Sequence, residues 1–133
     1  MNLKKHAYIL RRFMRRYPLT PKTVERLESE EVIDIRFAPM AVAEGGVGSQ
    51  DGKHWYIYVR ENSNRESQKI TISHEIAHVV YNSLFNKILQ RYGSDSITDK
   101  ALEYLIEREA QRFCKAERDF MENFYQRHKP RLK

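Results

Sequence analysis

A single cysteine, Cys114, stands among 133 residues. That excludes an intramolecular disulfide, so the fold must rest on its buried core, which one domain of this length can supply. No secretory leader opens the sequence, and with one lone thiol this predicts a reducing, cytoplasmic setting. Apolar runs stay far below the ~20 residues of a membrane-crossing helix, so we expect a soluble protein with no membrane partner. Repeats, linkers and low-complexity stretches are also missing. A single domain over residues 1–133 is therefore expected.

Charge is present in excess of one sign. Twenty-four Lys and Arg face eighteen Asp and Glu, a formal charge of +6, and the surplus gathers at Lys4, Lys5, Arg11, Arg12, Arg15 and Arg16 and at Arg127, Lys129, Arg131 and Lys133. Basic ends of this kind give weak, non-specific affinity for nucleic acid. The plainer reading is favoured, that Lys4, Arg11 and Arg15 are the solvent side of a helix. No recognition helix, zinc finger or RNA-stacking motif accompanies them.

Glycine and proline are few, and they mark boundaries. Leu3, Ala7, Leu10, Met14 and Tyr17 form one stripe, predicting a helix over 2–16 that stops before Pro18. Thr20-Pro21 offers a cap and a first-turn proline for a second, short helix ending near 28–30; residues 1–30 are thus N-terminal helices. Glu31–Ala38 and His54–Arg60 are rich in β-formers, and the Gly45-Gly46, Gly48 and Asp51-Gly52 positions between them predict an antiparallel β-hairpin over 31–60. In its second strand Trp55, Ile57 and Val59 alternate with Tyr56, Tyr58 and Arg60, giving one buried and one partly exposed face. Asn62-Ser63-Asn64 precedes a helix over 65–91 that Gly93 would end, and a Ser94-Asp95-Ser96 loop follows. Thr98-Asp99 then opens a long helix reaching about His128, stopped by Lys129-Pro130. The order of elements is that of an α+β domain.

Chemistry enters at His74-Glu75-Ile76-Ala77-His78, the pattern HExxH. Neither Gly nor Pro interrupts its flanks, and Ile72, Ile76, Val79, Val80 and Leu84 recur at helical spacing, so it lies within a helix. Residues four apart share a face about 6 Å apart at Cβ, and two imidazoles there can close on one tetrahedral Zn²⁺. Glu75 then sits beside the open position as general base for a water made nucleophilic near neutral pH. A third ligand is expected from the last helix, where Glu107 and Glu109 both qualify. If Leu102, Ile106, Ala110, Phe113 and Phe120 mark the core, Glu109 lies roughly 40° from its centre and Glu107 roughly 120°, which leans to Glu109. A zinc site must also open at one margin of that stripe, so periodicity leaves both in play.

Gln68 to His78, of the form xxFxIAHExxH after a β-hairpin, and Glu107, Ala110, Phe113 and Cys114 downstream, which match a glutamate three residues before an alanine and a following Phe-Ala pair, carry a likeness. Residues from about Val32 to Cys114 resemble the ImmA/IrrE family of metallopeptidases. The resemblance implies a small zincin-like domain in which His74, His78 and Glu107 hold zinc in a gluzincin-like set, with residues 65–128 as the metal-binding helices and Glu109 a partner behind the ligands. It also implies a zinc endopeptidase acting in transcription regulation, with a DNA-binding repressor as protein substrate. Where the family commonly has Gly before the second His, a His four residues after it and Asn after the alanine, this chain has Ala77, Asn82 and Gln111.

Several side roles stay open at this level. Tyr81, Tyr56, Tyr104 and His54 are unranked candidates for stabilising an oxyanion. The main chain of Trp55 to Val59 could take up an extended substrate at the hairpin edge. Cys114 reads as a buried small apolar residue rather than a ligand, and His6, His54 and His128 as ordinary residues. The competing function is a non-catalytic protein- or DNA-binding module on the same fold, in a phage or toxin–antitoxin setting.

Overall fold

Two prolines set the first boundaries. Pro18 disfavours helix just before it, and α1, Leu3–Arg16, ends there. Pro21 opens α2, Pro21–Ser29, where a missing N–H costs nothing. Extended Thr20 caps it, the hydroxyl accepting from the Thr23 N–H at 3.2 Å. The structure, a computed structural model, describes residues 3–92 and 96–130. The expected stop at Gly93 and the Ser94-Asp95 part of the loop lie outside the described residues.

Three strands follow, β1 Ile33–Ala38, β2 Gly45–Gly48 and β3 Trp55–Arg60, in the order β1-β3-β2. β1 runs parallel to β3, Ile33 opposite Trp55 and Ala38 opposite Arg60. β2 runs antiparallel to β3, Gly45 opposite Val59 and Gly48 opposite Tyr56. The antiparallel hairpin expected between 31–38 and 54–60 is thereby corrected: those two runs point the same way, and the hairpin partner of β3 is the glycine-rich stretch expected to be loop.

The reason lies in what β2 packs against. A Cβ at Gly45 would meet Thr71 Cγ2 at 2.3 Å and the Tyr58 carbonyl oxygen at 2.7 Å, so this strand lies flat on the next helix only because it lacks a side chain there. A strand of this kind shows no hydrophobic alternation to read. The turn into β3 is held by Asp51, whose Oδ1 accepts from the Lys53 and His54 N–H groups at 2.8 Å each, with Gly52 at φ 73°.

α3 is Arg65–Tyr92, close to expectation, and Asn64 Oδ1 accepts from the Ser67 N–H at 2.8 Å at its start. Its buried Ile72, Ile76 and Ala77 join Ile57 and Val59 of β3 in one core with Leu102, Ile106 and Phe113 of α4, Ser96–Ala116. Buried Gln68 donates to the Arg60 and Glu61 carbonyls at 2.8 and 3.2 Å and accepts from the Tyr125 hydroxyl, binding the end of β3 to α3 and to the C-terminal helix.

That C-terminal helix corrects a second expectation. The single helix to His128 is two, broken at Glu117, with α5 spanning Arg118–His128. A straight helix over 98–128 would run about 45 Å, past the edge of so small a domain. The break instead returns Met121, Phe124 and Tyr125 to the core, with Phe113 and Phe120 meeting edge-on across it at 6.0 Å. Among the described residues five helices and a three-stranded mixed sheet make an α+β domain, and no described helix is long and apolar enough to cross a membrane.

Candidate metal centre

α3 places the HExxH residues by turning Ile72, Ser73, Ile76 and Ala77 inward, all fully buried. One turn apart on the margin of that face stand His74 and His78, ring centroids 4.9 Å apart and side chains mostly covered. Their Nε2 atoms approach to 3.2 Å. From α4, Glu103 Oε1 reaches 2.8 Å from each of them.

These three donors fit a tetrahedral ion. With metal–ligand bonds of about 2.0–2.2 Å, tetrahedral donors stand about 3.3–3.6 Å apart; the two ring nitrogens, at 3.2 Å, nearly meet this, and Glu103, at 2.8 Å from each, has to draw back by about half an ångström to admit an ion. Two ring nitrogens and a carboxylate oxygen converge on one point, where a cation satisfies all of them. The field of the carboxylates is felt in the ring: burial alone would lower the His74 pKa, but hydrogen bonds to Glu103 and Glu107 push it up to about 9. Glu103 is correspondingly drawn down to about 2, against the opposing effect of its burial, by His74 and His78.

Glu107 lies one turn further along α4. Its carboxylate bonds to Nδ1 of His74, and Gln111 Nε2 donates to its other oxygen at 3.1 Å. Glu107 thus meets the His74 ring on its Nδ1 side, and Glu103 faces both Nε2 atoms. Sequence reading weighed Glu107 and Glu109 and missed Glu103. The available signal was the spacing: Glu103 and Glu107 repeat at four residues, as His74 and His78 do, so two helices present matching ladders.

Glu75 is 8 % exposed. Burial raises its carboxyl above the ordinary range, opposed by His78 and His74. It lines a cleft of about 400 Å³ together with Gly45 of β2, Ile70, Thr71 and His74 of α3, and Glu107. A carboxylate with a raised proton affinity beside three metal donors and an open cleft is the equipment for hydrolysing a polar bond.

The other candidates lie elsewhere. Glu109 is buried, accepting from the Leu19 N–H at 2.8 Å and from Arg112 NH2 at 3.0 Å, with the Tyr81 hydroxyl at 3.4 Å. It ties the α1–α2 junction to α4. Tyr81 donates to the Tyr17 carbonyl at 2.7 Å, His54 bonds Asp51 in the β2–β3 turn, Tyr56 lies beneath Arg36 and Tyr104 beneath Arg108. None of the four lines the cleft. Cys114 meets Ser73 Oγ at 3.0 Å, and burial pushes its thiol up, as expected of an inert residue. β3 is the central strand, so Trp55 to Val59 has both edges paired and offers no free main chain to a substrate; this corrects the expected docking edge.

A family model described as Peptidase_M78, IrrE N-terminal-like domain, matches residues 29–128. No curated protein and no solved structure matches the chain.

Proposed function

The chain belongs to the IrrE N-terminal-like domain family of peptidases, and from that premise we propose that it is a zinc-dependent endopeptidase whose substrate is a regulatory protein such as a helix-turn-helix repressor. The observation that carries the reading is the convergence of His74 and His78 Nε2 on a carboxylate of α4 with Glu75 in the adjoining cleft. His74 and His78 are two ligands. The third comes from one face of α4: the family pattern assigns it to Glu107, while Glu103 stands nearest both Nε2 atoms.

When bound, zinc supplies a Lewis acid that polarises a peptide carbonyl and makes water acidic near pH ~7. Glu75 takes the proton of the attacking water and passes it to the leaving amine, a role its raised pKa suits. With Glu103 as the ligand, Glu107 and Gln111 keep the His74 ring in register through its Nδ1. β2 is an edge strand whose first residue lines the cleft, so an extended substrate can add to it through main-chain hydrogen bonds.

Metal analysis by mass spectrometry tests the site. We expect about one zinc per chain, lost in His74→Ala and His78→Ala and in one of Glu103→Ala and Glu107→Ala; zinc retained in both glutamate variants would end the assignment of the third ligand to α4. Glu75→Gln should keep the zinc and lose cleavage of a repressor substrate by about 10²–10⁴-fold. Wild-type protein that takes up no zinc on reconstitution, or a Glu75→Gln variant that cleaves normally, would end the proposal.

A further inference from the structure

Roughly a third of a turn around α4 from Glu107, a groove of about 460 Å³ runs between α1 and α4. Four guanidinium groups border it, Arg11 and Arg15 from α1 and Arg108 and Arg112 from α4. Met14, Pro18 and Leu105 form its apolar floor, and Glu109 is its one carboxylate. That carboxylate is already engaged by Arg112, Leu19 and Tyr81. Arg11, Arg15 and Arg108 have no ion-pair partner among the described residues. Helix packing has thus brought like charges together from two elements, an arrangement that repels itself until an anion enters.

Exposed aromatics stand on the same two helices, at the margin of the groove and outside its lining. Tyr8 precedes Arg11 by three residues and Tyr104 precedes Arg108 by four, so each arginine row is headed by a tyrosine one turn before it. These rings are 58 % and 60 % exposed, among the most exposed large hydrophobic side chains of the described residues. Arg108 already lies over the Tyr104 ring, 5.8 Å from its centroid. Guanidinium groups that can grip phosphate oxygens bidentately, beside ring faces on which bases can stack, are the two parts of a single-strand binding surface. A duplex offers no free base faces to such rings.

We propose that the α1–α4 groove binds single-stranded nucleic acid, with Arg11, Arg15 and Arg108 on the phosphates and Tyr8 and Tyr104 stacking on bases. The inference stands apart from the metal centre and does not depend on hydrolysis. Arg127 near the C-terminus is by contrast committed to Glu28 at 2.7 Å.

The test is fluorescence anisotropy of a labelled oligodeoxythymidylate titrated with the full chain across a salt series. Arg11→Gln with Arg108→Gln should weaken binding about tenfold or more and flatten the slope of log K against log salt by about 1.4, at ~0.7 per phosphate contact. Tyr8→Ala with Tyr104→Ala should weaken it about tenfold or more with the slope unchanged. Lys22→Gln with Lys87→Gln removes equal charge from other exposed positions and should cost under about threefold. All of these side chains are exposed, and circular dichroism verifies that each variant is folded. Equal losses from the lysine and arginine pairs, unchanged affinity in the tyrosine pair, or equally tight binding of a duplex or of polyglutamate would each overturn the proposal.

Discussion

Removing the Glu109 carboxylate should unfasten one end of the molecule without touching the metal. Glu109 is 8 % and Leu19 2 % exposed, and the bond between them joins residues ninety positions apart. In Glu109→Ala the buried Leu19 N–H loses its acceptor, which costs about 1–3 kcal/mol, and the Tyr81 hydroxyl and Arg112 lose a charged partner. Arg112 is 47 % exposed and can turn to water, so its ion pair adds only about 0–1 kcal/mol. The expected loss is about 3 kcal/mol, a fall in Tm of about 10 °C for a chain of this size. Glu109→Gln keeps an acceptor for Leu19 and should lose about half as much. Thermal melts followed by circular dichroism, with and without a chelator, measure the loss, and metal analysis runs on the same samples. A fall below about 1 kcal/mol would refute the hydrogen-bond argument. Zinc lost from Glu109→Ala while it is still fully folded, well below its Tm, would show that Glu109 acts on the metal site.

Gly45→Ala should destabilise by about 1–3 kcal/mol, since the new Cβ meets backbone at Tyr58 as well as Thr71. Gly46→Ala and Gly48→Ala, with open space around them, should stay within about 0.5 kcal/mol in urea unfolding. Acid stability should depend on Glu28. Burial pushes its carboxyl up, but the bonds from Arg127 and His128 prevail and hold it below its ordinary 4.5. The stability it contributes is therefore full above pH 4.5 and lost as pH falls through the lower folded value. Urea midpoints of wild type and Glu28→Gln should differ at neutral pH and converge on acidification; a constant gap would refute the coupling.

Helices were legible where residues punctuate them. Pro18, Thr20-Pro21 and Asn64 act through local sterics and capping, which need no knowledge of the rest of the chain. HExxH was legible because two histidines four apart have one geometric consequence on any helix. The sheet was not, because Gly45, Gly46 and Gly48 form a strand with little side chain to alternate, and the need for glycine at 45 comes from Thr71 on a helix read separately. The break at Glu117 has neither Gly nor Pro to announce it; it follows from the need of Met121 and Phe124 to reach the core. Glu103 was missed for a related reason. Which carboxylate faces a histidine depends on the rotation of α4 against α3, which a single helix's periodicity does not contain.

The strand order also governs how the molecule assembles. β3 comes last of the three in sequence yet sits between the other two, so β1 and β2 have no partner until it arrives. β2 and β3 meet across residues 49–54, a local closure, whereas Ile33 must find Trp55 over a much longer loop. During synthesis the sheet therefore waits for Trp55–Arg60 to emerge. The glycine hairpin closes the shorter loop of the two, and β1 joins across the longer one.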